Sequence, residues 1–179
     1  MTTTLADERA TLGRSGIDRR LLVLIPLTIV LLDQVLKFLM TAWLGPDASS
    51  HRWELAGDFL AFAYVENRGA AFGILPEQTG LLTAISILIS GFGLTLMWRE
   101  AREHPLTSLA IGLVVGGALG NIVDRIRLGY VVDFVAVGEW PRFNLADSMV
   151  TIGVILLLWS SLNDERTASR RRLQEEEHV

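Results

Sequence analysis

Apolar residues in this chain come in blocks instead of alternating with polar ones. Four runs stand out, over 21–40, 79–98, 106–120 and 146–162, with polar segments between them. A soluble domain of 179 residues would interleave polar faces at helical or strand period. Each run instead approaches or reaches the roughly 17–25 residues that a helix needs to cross a bilayer. The pattern predicts an all-α integral membrane protein: four transmembrane helices in one compact domain over 21–163. Two loops, 44–78 and 126–143, join the helices on one side. An arm over 1–20 precedes them and a charged tail over 164–179 follows. Within the second loop, YVVDFVAV (130–137) alternates weakly and is rich in β-branched residues, which predicts an extended strand.

Charge then gives the helices a direction. The formal net charge of −4 says little, because the charges are segregated. Arg14, Arg19 and Arg20 precede the first run, Arg99 and Arg102 lie between the second and third, and Arg166 and Arg170 to Arg172 follow the fourth. The positive-inside rule puts these segments, and both termini, in the cytoplasm. The two loops then face outward, although Arg52, Arg68, Arg127 and Arg142 make the bias incomplete. The first run is too long for a signal-peptide core and contains Asp33 and Lys37, so it reads as a retained span. The tail DERTASRRRLQEEEHV reads as solvated chain or a frayed helix.

Composition removes several function classes. Without cysteine there is no disulfide, thiolate nucleophile or cysteine metal site. His51 and His104 fall on opposite sides of the membrane and His178 is in the tail, so no zinc site forms; no metal and no cofactor is expected. There is neither a phosphate-cradling glycine loop nor a basic nucleic-acid surface.

Following each helix outward reveals a convergence. Asp33 and Lys37 lie in the outer half of span one; Asn121, Asp124 and Arg125 at the outer end of span three; Asn144 and Asp147 at the outer start of span four. Asn67 and Asp133 lie in the two outer loops. Ionisable groups at membrane depth cost a few kcal/mol or more, and usually face the bundle interior to serve a site. Nine polar groups at one depth predict a polar cavity beneath the outer surface. A transporter or channel is the competing class, but it would spread such groups along the membrane depth or place them at the midplane.

Singly, most of these residues have structural readings. Asp33 and Lys37 are four apart on one helix face, and either form a neutralising ion pair or shape the cavity. Lys37 is the only lysine, and beside Ser148 it raises a serine–lysine protease as a third possibility. Gly112, Gly116 and Gly120 form two overlapping GxxxG units, first of all a packing signal that makes span three central. Asp124 and Arg125 fit a capping and interfacial pair. Asp147 fits a first-turn helix acid. Asp133, set among valine and phenylalanine, should be desolvated, with its pKa raised. Jointly, Asp133 and Asp147 can return to one point through a short loop. Two carboxyls in a desolvated site share one proton, which is the equipment of aspartic proteolysis.

Five segments in register carry a resemblance: DQVLK (33–37), ENRGAAFGIL (66–75), GGALGNIVDR (116–125), VVDF (131–134) and FNLADS (143–148). Together they resemble the lipoprotein signal peptidases, signal peptidase II of bacteria, across the whole membrane domain. The resemblance implies an aspartic endopeptidase of the bacterial cytoplasmic membrane. It would cut the signal peptide from diacylglyceryl-modified prolipoproteins, just before the lipidated cysteine. Motif by motif, it implies catalysis by Asp133 and Asp147. Asn67 and Gly69 would line the site from the first loop, and Asn121, Arg125 and Asn144 would orient the acids or contact substrate. Asp33 and Lys37 match the first-helix pair, and Asp124 is the reserve acid. Membrane lipid and globomycin-like cyclic peptides are the further implied partners, no nucleic acid is, and a monomer is expected. Loop 44–78 is similar to the family's small extracytoplasmic β-cradle. The loop FVAVGEWPRFNLA (134–146) is shorter than in some members, which puts lid shape and substrate preference in question.

Overall fold

The computed structural model describes residues 19–46, 52–69, 78–100 and 105–176. The arm before residue 19 and the end of the tail lie outside the described residues, as do 70–77 of the first loop. Seven elements follow in order: α1 (Arg19–Leu44), β1 (Arg52–Ala56), β2 (Leu60–Asn67), α2 (Thr79–Glu100), α3 (Pro105–Leu128), β3 (Val131–Val137) and α4 (Leu145–Glu176). All four helices are long and apolar enough to cross a membrane, over Val23–Leu44, Thr79–Arg99, Pro105–Leu128 and Leu145–Asn163. The outward faces carry large apolar side chains, among them Leu31, Phe38, Leu88 and Leu158. Water would penalise such a surface; hydrocarbon does not, and helices satisfy their own backbone there. This is a membrane protein.

Helix α3 lies at the centre, and its glycines explain how. A Cβ on Gly116 would stand 2.9 Å from Cα of Pro26 and from Ile29. A Cβ on Gly120 would stand 2.7 Å from Oδ2 of Asp33. Gly112 faces Ile25 in the same way, so the GxxxG stripe is the seam with α1. Gly117 meets Ala146 of α4, and Gly153 of α4 meets Ala110 and Val114, which forms the seam on the other side. On a third face, Met97 of α2 packs with Ile111 and Val115 in a dry cluster. Far from the sheet, Thr107 and Ser160 exchange a hydrogen bond of 2.9 Å between α3 and α4.

The helix of α3 runs eight residues past the apolar run that ends at Gly120, so Asn121, Asp124 and Arg125 are set by helical geometry. Likewise α4 runs unbroken through the charged tail to Glu176. The strand expected around Asp133 is present as β3. It does more than line a loop, because it joins the hairpin of the first loop as the third strand. The sheet order is β1-β2-β3, antiparallel throughout. In that register Val65 faces Asp133 and Asn67 faces Val131. Alternation then buries Ala61, Ala63 and Ala136 together on the inner face. Trp43 at the end of α1 packs on Trp53 at 5.0 Å and on Phe62 at 6.3 Å, which fastens the sheet to the bundle.

Candidate active site

Helix α4 begins with Asn144 as its N-cap. The Asn144 side-chain oxygen accepts from the Asp147 amide at 2.9 Å, and Oδ2 of Asp147 accepts from the Asn144 amide at 3.1 Å. This is a reciprocal capping box, with Asp147 at the third helical position. The first-turn reading of Asp147 therefore holds geometrically, yet it leaves Oδ1 free for another partner. That partner is Nδ2 of Asn121 on α3, at 2.8 Å.

The amide of Asn144 reaches the other acid. Its Nδ2 donates to Oδ1 of Asp133 at 2.8 Å and also lies 3.1 Å from Oδ1 of Asn121. Oδ2 of Asp133 accepts from Nδ2 of Asn67 at 2.9 Å, and Oδ1 of Asn67 accepts from the Gly69 amide at 3.0 Å. Asn144 thus touches both aspartates: its side-chain amino group holds the Asp133 carboxyl, its backbone amide holds the Asp147 carboxylate, and its side-chain oxygen caps the Asp147 amide. Asp133 is only 1 % exposed. Burial pushes its carboxyl up to about 7, and the nearby charge of Asp147 adds to the shift; the bonds from Asn67 and Asn144 and the charge of Lys37 oppose it.

A layer of charge lies behind these amides. The Lys37 ammonium donates to Asp33 at 2.8 Å, to Asp124 at 2.9 Å and to Oδ1 of Asn121 at 2.9 Å. Asp124 pairs with Lys37, not with its chain neighbour Arg125, so the interfacial-pair reading is replaced by a buried triad across α1 and α3. All three of the ammonium's protons are used, and Ser148 instead gives its hydroxyl to the Asn144 carbonyl at 3.0 Å. This removes the serine–lysine arrangement. Gln34 escaped notice in the sequence. Its amide donates to Asp124 at 2.8 Å and to the Gly120 carbonyl at 3.2 Å, and its oxygen accepts from Arg127 at 3.1 Å. An amide inside an apolar span was the available signal.

Beside this network lies a cavity of about 660 Å³. Asn67, Gly69, Asn121, Arg125 and Asp147 form its polar wall. Ile89 of α2, Val114 and Ala118 of α3 and Ile152 of α4 form an apolar wall, and the loop from Trp140 to Phe143 closes one side. Arg125 is half-buried, and its charge acts on Asp147, Asp133 and Asp124. Asp147 faces the cavity, while Asp133 stands behind the wall at the far end of the Asn67 bond. Two acids share one amide scaffold, one of them holding its proton to about neutral pH. Such a pair can take a proton from one reacting group and give one to another. The sequence-expected residues Asp133, Asp147, Asn67, Gly69, Asn121, Arg125 and Asn144 thus meet in one place, with Asp33, Lys37 and Asp124 one layer behind. Among the described residues, no three histidine, aspartate or glutamate side chains cluster in a way that could hold a metal ion.

The chain matches known proteins over the region that builds this site. The model of the family described as signal peptidase (SPase) II matches residues 25–163. A lipoprotein signal peptidase from Halothermothrix orenii is 42 % identical over 135 residues, covering 75 % of this chain and 90 % of the relative. One from Syntrophomonas wolfei is 40 % identical over 144 residues, covering 80 % and 94 %. Among solved structures, a bacterial membrane enzyme determined by the in meso method at 2.3 Å resolution superposes with a TM-score of 0.75 at 32 % identity. That match covers 85 % of this chain and 93 % of the other. With the family's model matched along the four helices and the sheet, this chain belongs to the signal peptidase II family.

Proposed function

We propose that this protein is an aspartic endopeptidase that removes the signal peptide from diacylglyceryl-modified prolipoproteins, cutting before the lipidated cysteine. The observation that carries the reading is the pair Asp133 and Asp147, joined through Asn144, with Asp147 facing a mostly apolar cavity between helices and Asp133 just behind its wall. The names of the relatives, lipoprotein signal peptidases, support the substrate class. Asp147, on the cavity wall, is the base and takes a proton from a water. The water oxygen attacks the scissile carbonyl. Asp133, whose carboxyl keeps its proton up to about pH 7, gives that proton to the carbonyl oxygen as the tetrahedral diol forms. The peptide carbonyl reaches Asp133 by taking the place of the Asn67 amide. Asp147 then delivers its acquired proton to the leaving nitrogen as the C–N bond breaks, and the diol returns a proton to Asp133. Asn121 and Asn144 hold the acids in place, Gly69 with Asn67 forms the rim, and Arg125 draws the polar peptide backbone toward the pair.

The substrate's signal segment is an apolar helix, and the walls of α2, α3 and α4 accept it laterally from lipid. A fixed polar environment then acts in a site largely free of bulk water. By the positive-inside rule, the flanking arginines support cytoplasmic termini and, with them, a site near the outer leaflet of the bacterial cytoplasmic membrane. Globomycin-like cyclic peptides would fill the same cavity, and the protein would act as a monomer. A channel or transporter is not favoured, since the relatives are lipoprotein signal peptidases and the polar groups gather at one end of the bundle instead of along its depth.

The test is processing of a lipidated prolipoprotein by wild type, Asp133→Asn, Asp147→Asn and Asp124→Asn proteins that insert and accumulate equally. The first two variants should be inactive; the third loosens a support of the pair without removing either acid, so it should cut more slowly but not stop. Cutting by Asp133→Asn together with failure of Asp124→Asn would make Asp124 the second acid. Normal cutting by all three would end the aspartic reading.

A further inference from the structure

Lys37 has three partners, and each partner has a second attachment. Asp33 uses its other oxygen to accept the backbone amide of Ala146 at 3.0 Å, one residue before Asp147. Asp124 accepts the backbone amide of Val132 at 3.1 Å, one residue before Asp133. Asn121 holds the carboxylate of Asp147 itself at 2.8 Å. From one buried nitrogen, three two-bond arms therefore run to the chain on either side of the pair. They cross four elements: α1 supplies Lys37 and Asp33, α3 supplies Asp124 and Asn121, and the arms end on α4 and β3.

Neutralising a charge does not require this. One lysine facing two buried carboxylates leaves an excess negative charge, and apolar replacement of such clusters is often neutral or stabilising. What the arrangement does supply is a fixed spacing between a strand and a helix that come from different parts of the chain. We propose that Lys37 is a positioning residue that sets the distance between Asp133 and Asp147 through Asp33, Asp124 and Asn121. The proposal rests on the reading of those two acids as the working pair, and it assigns the buried lysine a role in turnover. A shift of about 1 Å in a reacting geometry costs on the order of 100-fold in rate.

Lys37 also lies in a defined field. Asp33 faces it from α1 and Asp124 from α3. Asp147 of α4 stands beyond Asn121, Arg125 of α3 acts on Asp147, Asp133 and Asp124, and Arg127 is taken up by Gln34. On β3, the charge of Lys37 draws Asp133 toward its ionised form. Loss of the lysine charge therefore moves the alkaline limb of the activity profile to higher pH, an effect that a purely structural role would not produce.

The experiment compares Lys37→Met, Lys37→Arg and the double variant Asp33→Asn/Lys37→Met on a lipidated prolipoprotein, with rates expressed per folded enzyme. In the double variant only Asp124 is left charged, still held by Gln34 and the Val132 amide, so it tests the idea even when Lys37→Met does not accumulate. The expected result is a kcat lower by about 100-fold with KM little changed, an alkaline limb at higher pH, and partial recovery in Lys37→Arg. Wild-type kcat and an unmoved pH profile in the folded Met variants would overturn the proposal, and so would a change confined to KM. Continued cutting by Asp133→Asn and Asp147→Asn would instead end the peptidase reading, whatever the Lys37 variants do.

Discussion

Replacing Asn144 by alanine strikes the residue that joins the two acids. The backbone amide of Asn144 still reaches Asp147, but both side-chain functions disappear. Loss of the N-cap acceptor for the Asp147 amide costs about 0.5–2 kcal/mol. Oδ1 of Asp133, fully buried, loses its 2.8 Å donor, and a buried group left unsatisfied costs about 1–3 kcal/mol. The two together put the loss at about 1.5–5 kcal/mol, to be read from thermal or denaturant unfolding in detergent. The variant also has a pH signature. Asp133 binds its proton with a value of about 7 when folded, against an ordinary 3.8, so the native state holds more protons between those values. Stability therefore falls as pH rises through that window. The Asn144 bond favours the ionised form, so its removal raises the folded value further and extends the window upward. Fluorogenic cleavage across pH 5–9 should place the alkaline limb of any residual activity above that of wild type. A loss below about 0.5 kcal/mol, within the scatter of ordinary surface substitutions, or a limb that stays put or moves down, would refute the assignment of Asn144 as the shared scaffold.

Further outcomes follow from the same structure. Wild-type cleavage should decline above about pH 7 as Asp133 loses its proton, and Asp133→Asn should flatten the fall in stability between about pH 4 and 7, measured by unfolding at each pH. Gly120→Ala would drive a methyl to within 2.7 Å of Asp33 Oδ2 and should destabilise by about 1–3 kcal/mol, whereas Gly91→Ala, with nothing within 4 Å, should be neutral or stabilising by up to about 1 kcal/mol in the same unfolding assay.

The four helices were legible because lipid demands about twenty apolar residues in succession, a one-dimensional requirement that leaves a one-dimensional trace. The GxxxG stripe was equally plain, since only small residues allow the Gly116 backbone to approach Pro26. The strand around Asp133 showed in its β-branched residues, but its partner did not. Pairing of Val65 with Asp133 joins two loops distant in the chain, and no local pattern encodes that register. The same holds for Asp124. Next to Arg125 in sequence, it reads as half of a pair, yet the helix turns it toward Lys37.

The sequence by itself determined the membrane class, the number of spans and the gathering of polar residues at one end of the bundle. Hydropathy and charge act on each residue separately, so they can be read one position at a time. Only the tertiary structure decided which of those polar groups touch. It brought Asn144 between Asp133 and Asp147, put Asp147 on the cavity wall with Asp133 behind it, and made Lys37 the hub of three arms. Hydrogen bonds depend on distances of about 3 Å and on direction. Those are fixed by helix packing and strand register among four separate elements, and they exist only once the chain is assembled.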